Sequence, residues 1–270
     1  MSELIAFVGG GQMAGSLIGG LRAAGHAASR IRVAEPDAAR ADALRREFGV
    51  DVKTRAAEIA HGADALVLAV KPQVMKEAVA GLAPAASTTV VSIAAGIRVD
   101  SLRAWLGGAA PVVRCMPNTP ALLRCGVTGL YAPTDTSASS KQLAEKILGA
   151  VGQTCWVNDE ALLDAVTALS GSGPAYYFLL TEALREAGVA MGLDAATAKL
   201  LAERTFVGAG RMAEASDKDV AELRANVTSK GGTTEAAVKH LESHGVRKLF
   251  ADALRAAQAR GRELGAALAK

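Results

Sequence analysis

The sequence predicts an α/β fold, with a doubly wound sheet in the N-terminal half followed by an all-helical domain. Short β-branched apolar runs alternate with Ala-rich helical segments as far as about residue 155. From about residue 159 the periodicity is helical throughout. A glycine cluster follows the first apolar run with no residue between them.

The strands are expected at LIAFV (4–8), IRVA (31–34), ALVLAV (65–70), TVVSIA (89–94), PVVRCM (111–116), VTGLYA (127–132) and QTCWV (153–157). Their apolar residues run on without alternation, as in a parallel sheet covered on both faces. The clearest helix is SGSGPAYYFLLTEALREAGVAMG, with Ser172 in the N-cap region and Pro174 in the first turn, where its missing N–H costs nothing. Segments 194–214 and 246–264 are also helical, and there is neither an internal repeat nor a low-complexity linker. Two domains follow, a dinucleotide-binding one over 1–158 and a helical one over 159–270.

With 270 residues, half of them hydrophobic, the chain can bury a sizeable core; only 4% aromatic residues and abundant Ala suggest closely packed helices. A formal charge of +3 without a basic cluster disfavours nucleic acid as a partner. The longest apolar stretches, ADALVLAV and TTVVSIAAGI, fall well short of a membrane span. The N-terminal MSELIAFVGG enters a strand at once without a charged leader, so a cytoplasmic location is expected. Cys115, Cys125 and Cys155 are odd in number and lack metal spacing, and His26, His61, His240 and His244 are scattered. Reduced thiols and no bound metal are the expectation.

LIAFVGGGQMAGSLIGGL places Gly9-x-Gly11-x-x-Ala14 between a strand and a helix, the Rossmann-type arrangement. The glycines permit the tight turn and let backbone N–H groups approach a pyrophosphate at the helix start. Val8, Gly9, Gly11, Gln12, Met13 and Ala14 are the candidate residues here. Glu35 ends the second strand about twenty residues on. It accepts the ribose hydroxyls of NAD there, where it would repel a 2′-phosphate unless Arg40 or Arg55 offset it, or it is a solvated turn residue before Pro36. AVKPQ (Ala69, Val70, Lys71, Pro72, Gln73) leaves the sheet at the edge where ligands bind; Lys71 meets phosphate or substrate there, or is solvated. Ala95, after the TVVSIA strand, completes the cofactor set.

A nicotinamide carries the hydride, so the protein supplies orientation and any proton. Hydroxyacid dehydrogenases of the 6-phosphogluconate type share this layout and place a lysine base early in the interdomain helix; GSGPAYYFLLTEAL has none. An imine asks for less, because a hydroxyl on its nitrogen suffices to activate the carbon. ANVTSKGGTTEAAVKHLESHG (225–245) supplies that hydroxyl. Gly231, Gly232 and Thr233 present N–H groups to a carboxylate, Thr234 reaches the adjoining nitrogen, and Ser229 is a second donor.

FVGGGQMA, AVKPQ, RCMPNTPALLRCGVTGLY (114–131), ALSGSGPAYYF (168–178) and NVTSKGGTTEAAVKHLE together resemble pyrroline-5-carboxylate reductases over almost the whole length. The resemblance implies NADPH- or NADH-dependent reduction of 1-pyrroline-5-carboxylate to L-proline, the last step of proline biosynthesis. It puts the proton donor or imine-nitrogen partner on Thr234 and the carboxylate cradle on Ser229, Gly231, Gly232 and Thr233. Asn226 falls on the nicotinamide side and Glu160 near the imine ring. It also implies helical domains that interlock into dimers, which commonly assemble into decamers. Two positions depart from the family: Lys230 stands where Pro is frequent, and Glu35 where many members carry Ser, Thr or Arg. The second makes comparable use of NADH an expectation. A six-membered cyclic imine is the rival substrate, and a non-catalytic dinucleotide sensor the rival function.

Overall fold

The computed structural model describes residues 2–268. Contacts divide the chain into two compact units, one running to Ser172 and rejoined from Ala257 onward, the other Gly173–Ala256.

The first unit is built on one eight-stranded sheet of order β3-β2-β1-β4-β5-β6-β7-β8. The strands are β1 (Ile5–Val8), β2 (Ile31–Ala34), β3 (Asp51–Lys53), β4 (Ala65–Leu68), β5 (Thr89–Ser92), β6 (Val112–Met116), β7 (Gly126–Tyr131) and β8 (Gly152–Trp156). Between them lie α1 (Gln12–Ala23), α2 (Ala38–Phe48), α3 (Ala57–Ala60), α4 (Met75–Ala78), α5 (Val99–Trp105) and α6 (Ala138–Gly149), with α7 (Leu162–Val166) after β8. In β1 the pleat sends Ile5 and Phe7 into one apolar layer, with Leu17 and Leu21 of α1 and Leu44 of α2. Ala6 and Val8 enter the opposite layer, with Ile59, Met75 and Leu102. Both faces are therefore dry, as continuous apolar strands require.

Two details differ from the sequence expectation. Three-residue β3, absent from it, extends the edge beside β2, because DVK carries two charges and buries only Val52. The other strands are mutually parallel up to β6, but β7 runs antiparallel to it. Residues 117–125 between them form a short return containing a single 3-10 turn (Thr119–Leu123), too short for the crossover a parallel neighbour needs. Helix α6 then provides a crossover, and β8 pairs parallel to β7.

The expected break at 158/159 falls inside the first unit. Leu163 and Ala168 are buried, and a Cβ on Gly129 of β7 would come within 2.7 Å of Val166. After α7 the chain widens into a π-helical turn, Thr167–Gly171, to which Asn118 bonds through the Ser170 carbonyl at 3.1 Å. The other Asn118 amide atom accepts from Val127 N–H at 2.9 Å. One buried side chain thus ties the β6–β7 return to the segment that follows β8.

The second unit comprises α8 (Gly173–Ala190), α9 (Ala195–Glu214), α10 (Val220–Asn226), α11 (Thr233–Ser243) and most of α12 (Val246–Leu268). Helices α8 and α9 lie close at Gly188, whose Cβ would touch Ala198 at 3.4 Å, and Tyr177 stacks tilted on Phe206 at 5.6 Å. Among the described residues of this unit, Ala198 is the only buried hydrophobic side chain, while Phe178, Leu179, Leu184 and Leu200 are more than half exposed. No helix among the described residues is long and apolar enough to cross a membrane.

Candidate active site

Four of the described helices begin on a side-chain cap. Asp37, Ser137, Asp194 and Asp219 each accept an N–H from the first turn of α2, α6, α9 and α10. Helices α1 and α11 begin instead on Gly11 and Gly232, with no capping side chain. These are the two glycine-rich segments singled out in the sequence, and their orphan N–H groups point out of the helix start.

In the first unit, Val8 N-terminal to the loop is buried, and Gly9 turns the chain at φ 97°. A Cβ there would lie 2.7 Å from Val70 and 3.0 Å from the Ala69 carbonyl, so glycine is required by packing as well as conformation. At Gly11 a Cβ would meet nothing nearer than the Ala69 oxygen at 3.7 Å. The protein itself has no need of glycine there. A pyrophosphate at the start of α1 does, so the loop fits the dinucleotide that the motif implies. Ala14 is fully buried under the helix, Met13 is half-buried, and Gln12 is exposed at the first turn.

The order reverses between β2-β1 and β4-β5, so the crevice beyond β1 and β4 is the switch point where such sheets bind nucleotides. A cleft of about 800 Å³ opens there, bordered by Val8, Gly9, Gly11, Glu35, Ala69, Val70 and Lys71. It also reaches Thr54 and Arg55, beyond the end of β3. Thr54 was not legible as a site residue because β3 was not. A larger groove, about 980 Å³, runs along α1 and α2 past Gly15, Gly19 and Phe48. No strand residue lines it, so the smaller cleft is the candidate cofactor site. Glu35, half-buried, accepts Gly10 N–H at 2.9 Å and Asp37 N–H at 3.0 Å. It holds the glycine loop and borders the cleft, so it is not a free turn residue. Arg40 Nε caps the same loop through the Gly10 carbonyl. Lys71 is exposed and Pro72 opens a 3-10 turn, while Ala95 is exposed in the turn after β5.

Glu160 has its partners inside the same unit. Its Oε1 accepts from Arg114 at 2.7 Å and from the Val99 N–H at 2.8 Å, and Oε2 lies 3.6 Å from Arg98. Arg114 is 7% exposed, so this carboxylate neutralises an otherwise buried charge. Cys115 beside it is buried, and burial pushes its thiol pKa far up, which makes it a small hydrophobe and no nucleophile.

In the second unit, Asn226 ends α10 and is exposed. The turn that follows closes on itself. Gly231 sits at φ 74°, and the Gly232 N–H donates to the Ser229 carbonyl at 3.0 Å. A Cβ on Gly232 would fall 2.5 Å from Ser229 Oγ. The Gly231 N–H donates to the Glu235 carboxylate at 2.6 Å. Two of the three N–H groups expected to cradle a carboxylate therefore have internal partners: Gly232 bonds the Ser229 carbonyl across the turn, and Glu235, one helical turn further on, reaches back to Gly231. The uncapped N–H groups start at Thr233, and the Thr233, Thr234 and Ser229 side chains are all exposed around them.

Residues 160–264 match the family model described as pyrroline-5-carboxylate reductase dimerisation, and residues 4–96 match that of NADP oxidoreductase, coenzyme F420-dependent. The chain is 52% identical to a pyrroline-5-carboxylate reductase of Pseudomonas aeruginosa over 96% of either chain. It belongs to the pyrroline-5-carboxylate reductase family. The family likeness extends to a plant member from Arabidopsis thaliana, 38% identical over 96% of this chain and 95% of that one. A pyrroline-5-carboxylate reductase structure from Coxiella burnetii superimposes with a TM-score of 0.93 at 43% identity, covering 98% and 99% of the two chains. A Plasmodium falciparum reductase of the same family, solved with NADP bound, gives 0.83 at 27% identity over 98% of both.

Proposed function

We propose that this protein reduces 1-pyrroline-5-carboxylate to L-proline with a hydride from NADPH or NADH. What carries the reading is the pair of uncapped helix starts, one beside a dinucleotide cleft and one ringed by hydroxyls, in a chain 52% identical to a named reductase. The dinucleotide, when bound, supplies the hydride to the imine carbon.

The remaining tasks fall on the chain. The N–H groups opening α1 hold the pyrophosphate, and Glu35 takes the ribose hydroxyls. Ala69, Val70 and Lys71 border the same cleft, and Asn226 belongs to the nicotinamide side as the family resemblance implies. The Thr233 and Thr234 N–H groups receive the substrate carboxylate at the positive end of α11; Gly231 and Gly232 shape the turn that exposes them. The Thr234 hydroxyl hydrogen-bonds the ring nitrogen, drawing electrons from the C=N bond as hydride reaches the carbon. Ser229 is the second donor to that nitrogen, which takes its protons from solvent through these exposed hydroxyls and leaves as the protonated amine of proline.

Residues 159–270 also serve as the dimerisation region, because the exposed apolar side chains of α8 and α9 need a cover that the unit does not supply itself. A homo-oligomer of at least two chains follows, with the decamer as the larger form, in the cytoplasm and without nucleic-acid or membrane partners. The deciding assay follows NADPH and NADH oxidation on addition of 1-pyrroline-5-carboxylate and of its six-membered homologue. Turnover of the five-membered ring with proline as product supports the reading. Preference for the six-membered ring, or binding without turnover, replaces it with one of the rival functions.

A further inference from the structure

The turn after β5 is gripped from two directions. Ile93 N–H still bonds the Leu68 carbonyl of β4 at 3.2 Å, so the residues leaving β4 and β5 emerge side by side at the ligand edge of the sheet. The chain then reverses at Gly96, φ 79°, pins Ile97 into the core at 2% exposure, and enters α5 at Val99. Glu35 marks the adenosine half of the cleft on the β2 side, which leaves the β4–β5 side, with exposed Ala95, for the nicotinamide.

One grip is Glu160. Pairing with buried Arg114 would need only one carboxylate oxygen and no particular backbone partner. The same Oε1 also takes the Val99 N–H, the orphan donor at the start of α5, while Oε2 faces Arg98. The other grip is the end of α12. A Cβ on Gly265 would lie 2.9 Å from the Gly96 carbonyl oxygen and 3.4 Å from its Cα, so the helix backbone rests directly on the turn. Arg262, one turn earlier, approaches Asp164 at 3.7 Å, on the same short segment that Glu160 opens.

We propose that Glu160 and Gly265 are positioning residues for the hydride step, acting through the Ala95–Gly96 turn on the β4–β5 side of the sheet, the side left for the nicotinamide. The inference rests on the dinucleotide reading of the cleft. It reassigns Glu160 from the imine ring to the turn, since its carboxylate is already engaged there. A reactive ring displaced by a fraction of an ångström loses rate steeply, while the adenosine end, held by Gly9, Gly11 and Glu35, feels nothing.

The test compares wild type, Gly265→Ala and Glu160→Gln for dissociation constants of NADH, NADPH and ADP-ribose, for kcat at saturating cofactor, and for Tm. ADP-ribose lacks the nicotinamide and reads only the adenosine end. The expected result in both variants is ADP-ribose binding within twofold of wild type, NADH and NADPH binding weakened threefold or more, and kcat reduced about tenfold. Gly265→Ala tests the contact directly, because alanine in an ordinary helix position raises stability and leaves kinetics alone, whereas here its Cβ must displace the turn; unchanged ADP-ribose binding guards against general damage. A Gly265→Ala protein with wild-type kcat and nicotinamide-dinucleotide affinity overturns the proposal, as does equal weakening of ADP-ribose and NADPH. If the wild type binds neither ADP-ribose nor dinucleotide, the cofactor reading itself fails first.

Discussion

Gly231 donates its N–H to the Glu235 carboxylate at 2.6 Å, so the turn before α11 is closed by a residue inside the helix it opens. That carboxylate takes the Gly231 N–H that the sequence offered to the substrate carboxylate, and it is partly neutralised by Lys239 at 3.0 Å. The Gly231 N–H, and after it Lys239, hold its pKa below the ordinary 4.5. A depressed carboxyl stabilises the fold above its unfolded value and stops doing so only as pH falls through the lowered one, so the turn stays closed throughout the neutral range. Glu235→Gln keeps an acceptor for Gly231 and removes the negative charge. We expect KM for 1-pyrroline-5-carboxylate to fall roughly threefold with kcat nearly unchanged, the size of an exposed charge effect. A KM that stays put or rises places the carboxylate elsewhere.

Thr234 bears the hydroxyl assigned to the ring nitrogen. If that contact tightens as hydride is transferred, Thr234→Ala lowers kcat about tenfold, on the order of 1.4 kcal/mol. Thr234→Ser retains most of the rate, and NADPH affinity changes little in either. Wild-type kcat and KM in Thr234→Ala reduce the hydroxyl to a bystander. Gly232→Val behaves differently, since its Cβ would enter the space of Ser229 Oγ; a raised KM is the expected readout.

The two glycines of the cofactor loop separate folding from binding. Gly9→Ala forces a side chain into positive φ and against Val70, so it lowers Tm along with dinucleotide affinity, by roughly 1–3 kcal/mol of stability. Gly11→Ala has room in the protein and leaves Tm within a degree or two, yet weakens NADPH and NADH about tenfold. Calorimetry beside cofactor titration reads both; a Gly11→Ala protein with full affinity means no pyrophosphate approaches that residue.

Cofactor choice is legible at Glu35. Because its carboxylate is fixed between Gly10 and Asp37, it cannot swing away from a 2′-phosphate. NADH is expected to serve at least as well as NADPH, and Glu35→Ser to shift the ratio of kcat/KM values about tenfold toward NADPH. An NADPH-preferring wild type whose ratio is unmoved by the substitution removes Glu35 from the ribose.

Much of the first unit was readable because its signals are local. Unbroken apolar runs marked all the long strands, and Gly9 and Gly11 stood directly after one of them. β3 escaped since DVK offers a single apolar residue. The reversed direction of β7 is carried by the brevity of residues 117–125, which apolar pattern does not record. At the candidate site, the hydroxyl–glycine turn was visible in sequence, but the return of Glu235 onto Gly231 was read as open N–H groups. Glu160 lay furthest from legibility. Its partners Val99 and Arg114 are 61 and 46 residues away, and only the folded sheet brings them to one carboxylate.

The helical unit that hides almost none of its apolar side chains ties its own folding to the law of mass action. A lone copy has little to gain by ordering α8 and α9, so Tm should climb with enzyme concentration, and each tenfold dilution should remove about 1.4 kcal/mol from a dimer. Twofold contacts also repeat every substitution. Trimming Leu179, exposed on α8, would take two side chains out of a twofold interface built on this face, so the face would answer to mutation at double the scale of the sheet's interior.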